Sequence, residues 1–323
     1  MKSHVIVLAL VVGASSSFAQ GSLTPPGAPG QTMKSLAQIE PRTVIPGGTA
    51  AFVISTPRSY VLGGNLSINT GHAITISANN VTLDLDGFTI SSTPPSASGC
   101  GITLAPDISN IRITNGHIVG RTTYTAATQT FVASGFECGI GAEGSQTNVE
   151  IDYVTVSGTQ AAGIYVLNAS IHDCSVNICA GDGITGRRVS DCRVDLVGGS
   201  GIGGSIISGC HGATIGHLPG SDGISGWIVT DSSGSADTGA GIKATKQVQN
   251  STGVSASGAG ISADIVSASH GVSSSGSGIT TQVASYSYGS STTGTAINAT
   301  RSAIGCTVGS GAVVSPNKLL GTP

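Results

Sequence analysis

Charge is scarce in this 323-residue chain: Asp, Glu, Lys and Arg together make up 9% of it, and the net charge is −3. No block of like charge occurs, so there is no electrostatic footprint for nucleic acid or an anionic lipid surface. Aromatics are fewer still, at 4% with a single tryptophan, which leaves little material for a large globular core. After an apolar run from Val5 to Val12, no stretch of ~20 apolar residues offers a membrane-spanning helix. The seven histidines show no ligand spacing, and no paired C-x-x-C points to zinc.

What remains is 49 glycines and 39% hydrophobic residues, with Val and Ile set between Gly, Ser, Thr and Asn clusters. That composition suits many short strands joined by turns, an all-β chain. Lys2 and His4, the run Val5 to Val12 and Ser17-Phe18-Ala19 before Gln20 predict a signal peptide over residues 1–19, and with it a secreted or cell-surface protein.

A Gly-Ile beat organises the rest. Ile102, Ile140, Ile164, Ile184, Ile202, Ile224, Ile242, Ile261 and Ile279 each follow Gly, and Ile297 follows Ala296; from Ile164 the spacings run 20, 18, 22, 18, 19, 18 and 18. A fixed period in this range marks a solenoid, whose repeats bury their apolar faces only against neighbours. The glycine before each isoleucine is expected to serve a turn into the strand, where positive φ costs it nothing. Period-two alternation at Val81, Leu83 and Leu85, and inward Ile224, Gly226 and Ile228 against outward Ser225 and Trp227, suggest about three strands per coil. A left-handed hexapeptide prism needs an aliphatic every sixth residue, and that phase lands on Ser267 and Ser273 from Ile261. Variable coil length favours a right-handed parallel β-helix, with the 38 residues from Ile102 to Ile140 holding a full coil plus an insertion over Arg121 to Ser134.

The expected layout is an N-terminal cap over 20–70, including a short helix around Thr32 to Glu40; a single-stranded right-handed parallel β-helix of about eleven coils over 71–315; and a tail over 316–323. Cys174, Cys192 and Cys210 lie 18 apart and so stack about 4.8 Å apart in successive coils. That is within disulfide reach, but small apolar thiols suit a reduced core stack better. Cys100 and Cys138 each stand two residues before a beat isoleucine and could pair.

Asn79-Asn80-Val81-Thr82-Leu83-Asp84-Leu85-Asp86-Gly87-Phe88, then Asn110-Ile111-Arg112-Ile113-Thr114-Asn115-Gly116 and the repeated Asp-Gly-Ile coils, resemble the right-handed parallel β-helix proteins of the pectin-lyase-like superfamily, over about residues 70 to 315. The resemblance implies a scaffold that hosts polysaccharide lyases, glycoside hydrolases and adhesins. The adjacent Asp-Asp pair and Gly-His-Gly of a polygalacturonase-like site are missing, as is the Arg-x-Pro-x-x-Arg of a pectate-lyase-like one. No catalytic residue carries over.

The beat itself nominates a face. Asp182 and Asp222 each stand two residues before a beat isoleucine with Ser200 between, a line of carboxylates roughly 10 Å apart, near the separation inverting glycosidases use. Arg187 and Trp227 stand three residues after the beat and Lys243 one coil on, an arrangement able to neutralise a uronate and stack on a sugar ring. Asp before Gly is also a common turn residue, so the pair can be structural instead. Asp173 and Asp191, 18 apart, are the candidate metal pair; stacked carboxylates invite calcium, although no cofactor is required. The expected function is polysaccharide or cell-surface glycan binding along the solenoid. The alternatives are a lyase or hydrolase in the same groove, and a structural or adhesive rod.

Overall fold

The computed structural model describes residues 42–216 and 218–319. The signal peptide and the helix expected around Thr32 to Glu40 lie outside them. The described chain is all-β, a parallel β-solenoid of the right-handed type with about 14 turns. Among the described residues thirty-one strands join one continuous sheet, and two more form a separate hairpin. Among the described residues no helix is long and apolar enough to cross a membrane.

Each coil contributes to three parallel ladders. The first is the Gly-Ile ladder, in which Ile74, Ile102, Ile140, Ile164, Ile184 and Ile202 are successive partners, and it continues through Ile297 to Val313. Every beat isoleucine is fully buried, worth about 1.5–3 kcal/mol each in apolar area removed from water. The second ladder runs from Thr43–Ile45 through Ile113, Ile151, Ile171 and Val189 to Asn317–Leu319. The third begins at Leu66–Ile68 and passes through Ile118, Val156, Val176 and Val194.

Three expectations change. The ladders already include Thr43–Ile45, Phe52–Ile54, Ser59–Leu62 and Leu66–Ile68, so the coils number about fourteen rather than eleven. These early coils are hard to see because Phe52 and Ile74 follow alanine, not glycine. The inward alternation also slips after Trp227: Ile228 is only partly buried and Val229 takes the core position, as Ile207 does beside exposed Ile206. The chain turns a corner there, and a turn resets the phase of two.

The third change concerns the beat glycines, which are absent from the positive-φ positions. Their role is close approach. A Cβ on Gly183 would strike the Val194 side chain across the coil and the Gly201 carbonyl in the next. From Gly212 onward the facing third-strand residue is itself glycine, through Gly234, Gly253, Gly271 and Gly289, and a Cβ on Gly241 would meet the backbone of Gly253 and Val254. The Ser/Gly-rich coils are therefore thin, with facing backbones in contact.

Positive φ belongs to a different corner, between second and third strands. It is taken by Asp173, Asp191, Gly209, Asp231 and Asn250, with φ from 48° to 63°, residue types that tolerate the left-handed region. One residue on, a buried column continues as Cys174, Cys192, Cys210, Ser232, Ser251, Ser269, Ser287 and Cys306. The three 18-spaced cysteines are free and stacked in the core, whereas Cys100 and Cys138 form a disulfide.

The 38-residue interval does hold one coil plus an insertion: Ile102 pairs directly with Ile140. The extra residues form a hairpin of Thr123–Thr125 against Thr130–Val132, with the Tyr124 and Phe131 rings 5.0 Å apart.

Candidate functional site

The outward side of the Gly-Ile ladder carries the features of a binding surface. Thr103, Gly141, Tyr165 and Thr185 follow one another on it, and in the same strands Cys138, Ala162 and Asp182 form a parallel column. Between these columns lies a cleft of about 370 Å³ whose walls include His72, Glu137, Glu143, Tyr165 and Asp182 around the disulfide. Gly141 makes room for it, since a Cβ there would crowd both sulfurs. The Cys100 N–H donates to His72 Nδ1 at 3.1 Å, which orients the ring. The inserted hairpin reaches toward this region: Phe131 lies against Gly198, and the neighbouring Gly199 packs on the Asp182 carboxylate.

Asp182 and Asp222 occupy one line with Ser200 between them, as the spacing predicts. The Ser200 N–H donates to Asp182 Oδ1 at 2.8 Å, the Asp222 N–H to Ser200 Oγ at 3.4 Å, and the Ala240 N–H to Asp222 Oδ1 at 2.8 Å. Each carboxylate thus ties its coil to the backbone of the next, which is structural work. Asp222 is 7% exposed. Burial pushes its pKa above the ordinary aspartate value, against the pull of the Ala240 N–H and of Lys243, whose Nζ stands 3.8 Å from Oδ2. Only Asp182 lines the cleft.

Trp227 is 53% exposed. Arg187 is exposed on the same column two coils earlier, with Ser205 between: Arg188 pairs with Ile206, and Ile206 with Ile228. Lys243 stands level with Ser225, two residues before the indole column. Lys246, missed by sequence spacing, stands over the indole with Nζ 5.6 Å from the ring centre. A register shift explains the miss. Gly226 pairs with Ala244 but Ile228 with Gln247, so two residues face Trp227 and the bulge re-aims Lys246. Asp264 then receives Lys246 Nζ at 3.2 Å and Gln282 Nε2 at 2.8 Å, continuing the polar line.

Asp173 and Asp191, the candidate metal pair, sit at the left-handed corners, where the backbone accounts for their residue type. The Asp173 carboxylate lies 3.1 Å from His172 Nδ1. A larger ionic cluster was not legible in the sequence. Glu150, Asp152 and His172 bring one donor atom each within 4.8 Å of one another, yet Asp152, fully buried, already receives Arg112 Nε at 3.2 Å, Arg112 Nη2 at 2.9 Å and Thr114 Oγ1 at 3.0 Å. The hydrogen bonds and charge of Asp152 raise the Arg112 pKa in turn. A buried carboxylate so paired is a satisfied ion pair rather than an open ligand set.

No family model and no curated protein matches the chain. Among solved structures it is similar to a GH136 lacto-N-biosidase from Eubacterium ramulus, at 11% identity and a TM-score of 0.32, over 86% of this chain and 60% of that one. The chain thus spans 60% of the length of that protein, and likeness of this degree leaves function to the residues themselves.

Proposed function

We propose that this is an exported protein that binds polysaccharide along the outward face of its Gly-Ile ladder, from the cleft beside Tyr165 toward Trp227. The observation that carries the proposal is the Trp227 indole, more than half exposed on a surface of small residues and faced by the Lys246 ammonium at 5.6 Å. A large aromatic gains nothing from water there, but it offers a plate to the C–H face of a sugar ring. Arg187, Lys243 and Lys246 favour an acidic glycan, whose carboxylates they would meet.

The test is affinity electrophoresis through gels containing polygalacturonate or alginate. Trp227→Ala is expected to weaken retardation about tenfold or more, the loss typical of an aromatic anchor; unchanged migration of that variant overturns the proposal. Export predicts that protein recovered outside the producing cell begins at Gln20, and an intact leader on that protein would contradict it.

A second function, hydrolysis or lyase cleavage of the bound glycan, draws support from the carboxylates gathered at the cleft. Glu137 and Glu143 are better acid and base candidates than Asp182 or Asp222, whose Oδ1 atoms are held by backbone N–H groups. Release of new reducing ends or unsaturated ends that survives both Glu137→Gln and Glu143→Gln would remove these residues from the chemistry.

A further inference from the structure

The corner between second and third strands carries Asp, Asn or Gly in most coils, as left-handed backbone requires. Tyr286 breaks that pattern at φ 48°. A bulky ring is an unfavourable choice at such a φ, and this one recovers nothing in the core, being 75% exposed. The next residue in its column is Gly305, where a Cβ would stand 2.8 Å from the ring, so the following coil places no side chain over it.

Beside Tyr286, His270 and Tyr288 are register partners in the third ladder. They meet edge to face with ring centres 4.5 Å apart. An open hollow of about 580 Å³ joins the three rings, and its rim carries the amide of Asn250 and the hydroxyls of Thr252 and Thr307. No Asp, Glu, Lys or Arg lies among the described residues that line it. Tyr153 repeats the motif earlier in the chain: it takes the same corner at φ 54°, is 59% exposed, and meets His172 edge to face at 6.3 Å.

We propose that the Tyr286 hollow is a binding subsite for neutral pyranose units of a polysaccharide, separate from the cationic Trp227 face. A pyranose presents a flat C–H face ringed by hydroxyls, which matches an aromatic plate with an uncharged hydrogen-bonding rim. An acidic ligand would find no lysine or arginine here. An apolar side chain would strip water from the amide and hydroxyls without replacing their hydrogen bonds. The subsite shares no residue with the cleft or the Trp227 column, so it stands or falls independently of that surface.

The test is electrophoresis of the full chain through gels containing neutral β-glucan, xylan, galactomannan or galactan, with polygalacturonate in parallel. The wild type and Trp227→Ala are expected to be retarded alike by at least one neutral polymer. Tyr286→Asn should lose about tenfold in that affinity, as removal of an aromatic anchor does, while Tyr286→Phe retains it. Asn suits the left-handed corner, as Asn250 shows, so Tyr286→Asn should melt no lower than wild type. Tyr288→Ala, which leaves the corner unchanged, should also lose retardation and supplies a second readout. The proposal is overturned if no neutral polymer retards the wild type, or if Tyr286→Asn and Tyr288→Ala migrate as wild type does. It is equally overturned if neutral binding is lost in Trp227→Ala and kept in Tyr286→Asn.

Discussion

Replacing Ser251 with alanine probes the device that holds the thin coils together. Ser251 is buried, its Oγ donates to the Gln249 carbonyl at 2.7 Å, and it accepts the Ser232 N–H from the preceding coil at 3.2 Å. The Ser251 N–H is received by Ser269 Oγ at 3.2 Å and the Ser269 N–H by Ser287 Oγ at 3.3 Å, so the column is a continuous ladder of buried hydroxyls. Alanine leaves the Ser232 N–H without a partner away from water, which costs about 1–3 kcal/mol. With an unfolding entropy of about 2.1 cal/mol/K per residue over the Arg42–Pro323 unit, the transition should carry roughly 0.6 kcal/mol/K. A loss of about 2 kcal/mol then lowers Tm by roughly 3 °C. Ser251→Cys is the control, because Cys174, Cys192 and Cys210 fill the same column and their thiols donate to the carbonyl two residues back at 3.1–3.2 Å. The assay is thermal melting by circular dichroism or calorimetry. A Ser251→Ala protein within 1 °C of wild type, or a Ser251→Cys protein melting below it, would falsify the assignment of coil cohesion to this column.

The free thiols should be silent toward a thiol reagent in the native protein and react on unfolding, since all five are buried. Burial raises Cys179 to about 11, and the hydrogen bond to Cys174 helps raise Cys192 to about 12; labelling of native protein at pH 8 would contradict this. Asp222→Asn should be neutral or stabilising at pH 7, because asparagine still accepts the Ala240 N–H and the raised pKa means that the ionised carboxylate costs stability once pH exceeds it. Asp222→Ala should cost about 1–3 kcal/mol by orphaning that N–H, and denaturant unfolding of the two variants decides. Burial opposes the charge on His172, but its hydrogen bonds to Glu150 and Asp173 outweigh this and raise its pKa. Its contribution is therefore complete below about pH 6.5, the unfolded value, and fades as pH rises through the folded one. His172→Gln should flatten that part of the Tm–pH profile, and an unchanged slope would remove His172 from the linkage.

The Gly-Ile ladder was legible because burial of one isoleucine per coil forces its period into the sequence. The cysteine stack and the line through Asp182, Ser200 and Asp222 follow directly from that period. The left-handed corner at Asp173 and Asp191 was less legible, because a turn aspartate and a metal ligand look alike until φ is known. Lys246 was not legible because a single-residue bulge moves it out of phase, nor were the early coils, whose spacing and residue before the beat differ.

The sequence by itself determined the solenoid, its all-β character, the buried column of each beat isoleucine and the outward position of Trp227, since apolar burial and the strand period of two constrain them locally. Only the tertiary structure decided that the beat glycines serve close backbone approach, and that Arg112 meets Asp152 across 40 residues. It also decided that Glu137, Glu143 and Asp182 share a cleft around a disulfide, and that Tyr286 stands beside His270 and Tyr288 at one hollow. Those outcomes depend on coil corners, bulges and insertions, which set how far along the chain a neighbour in the next coil lies and which a fixed period cannot encode.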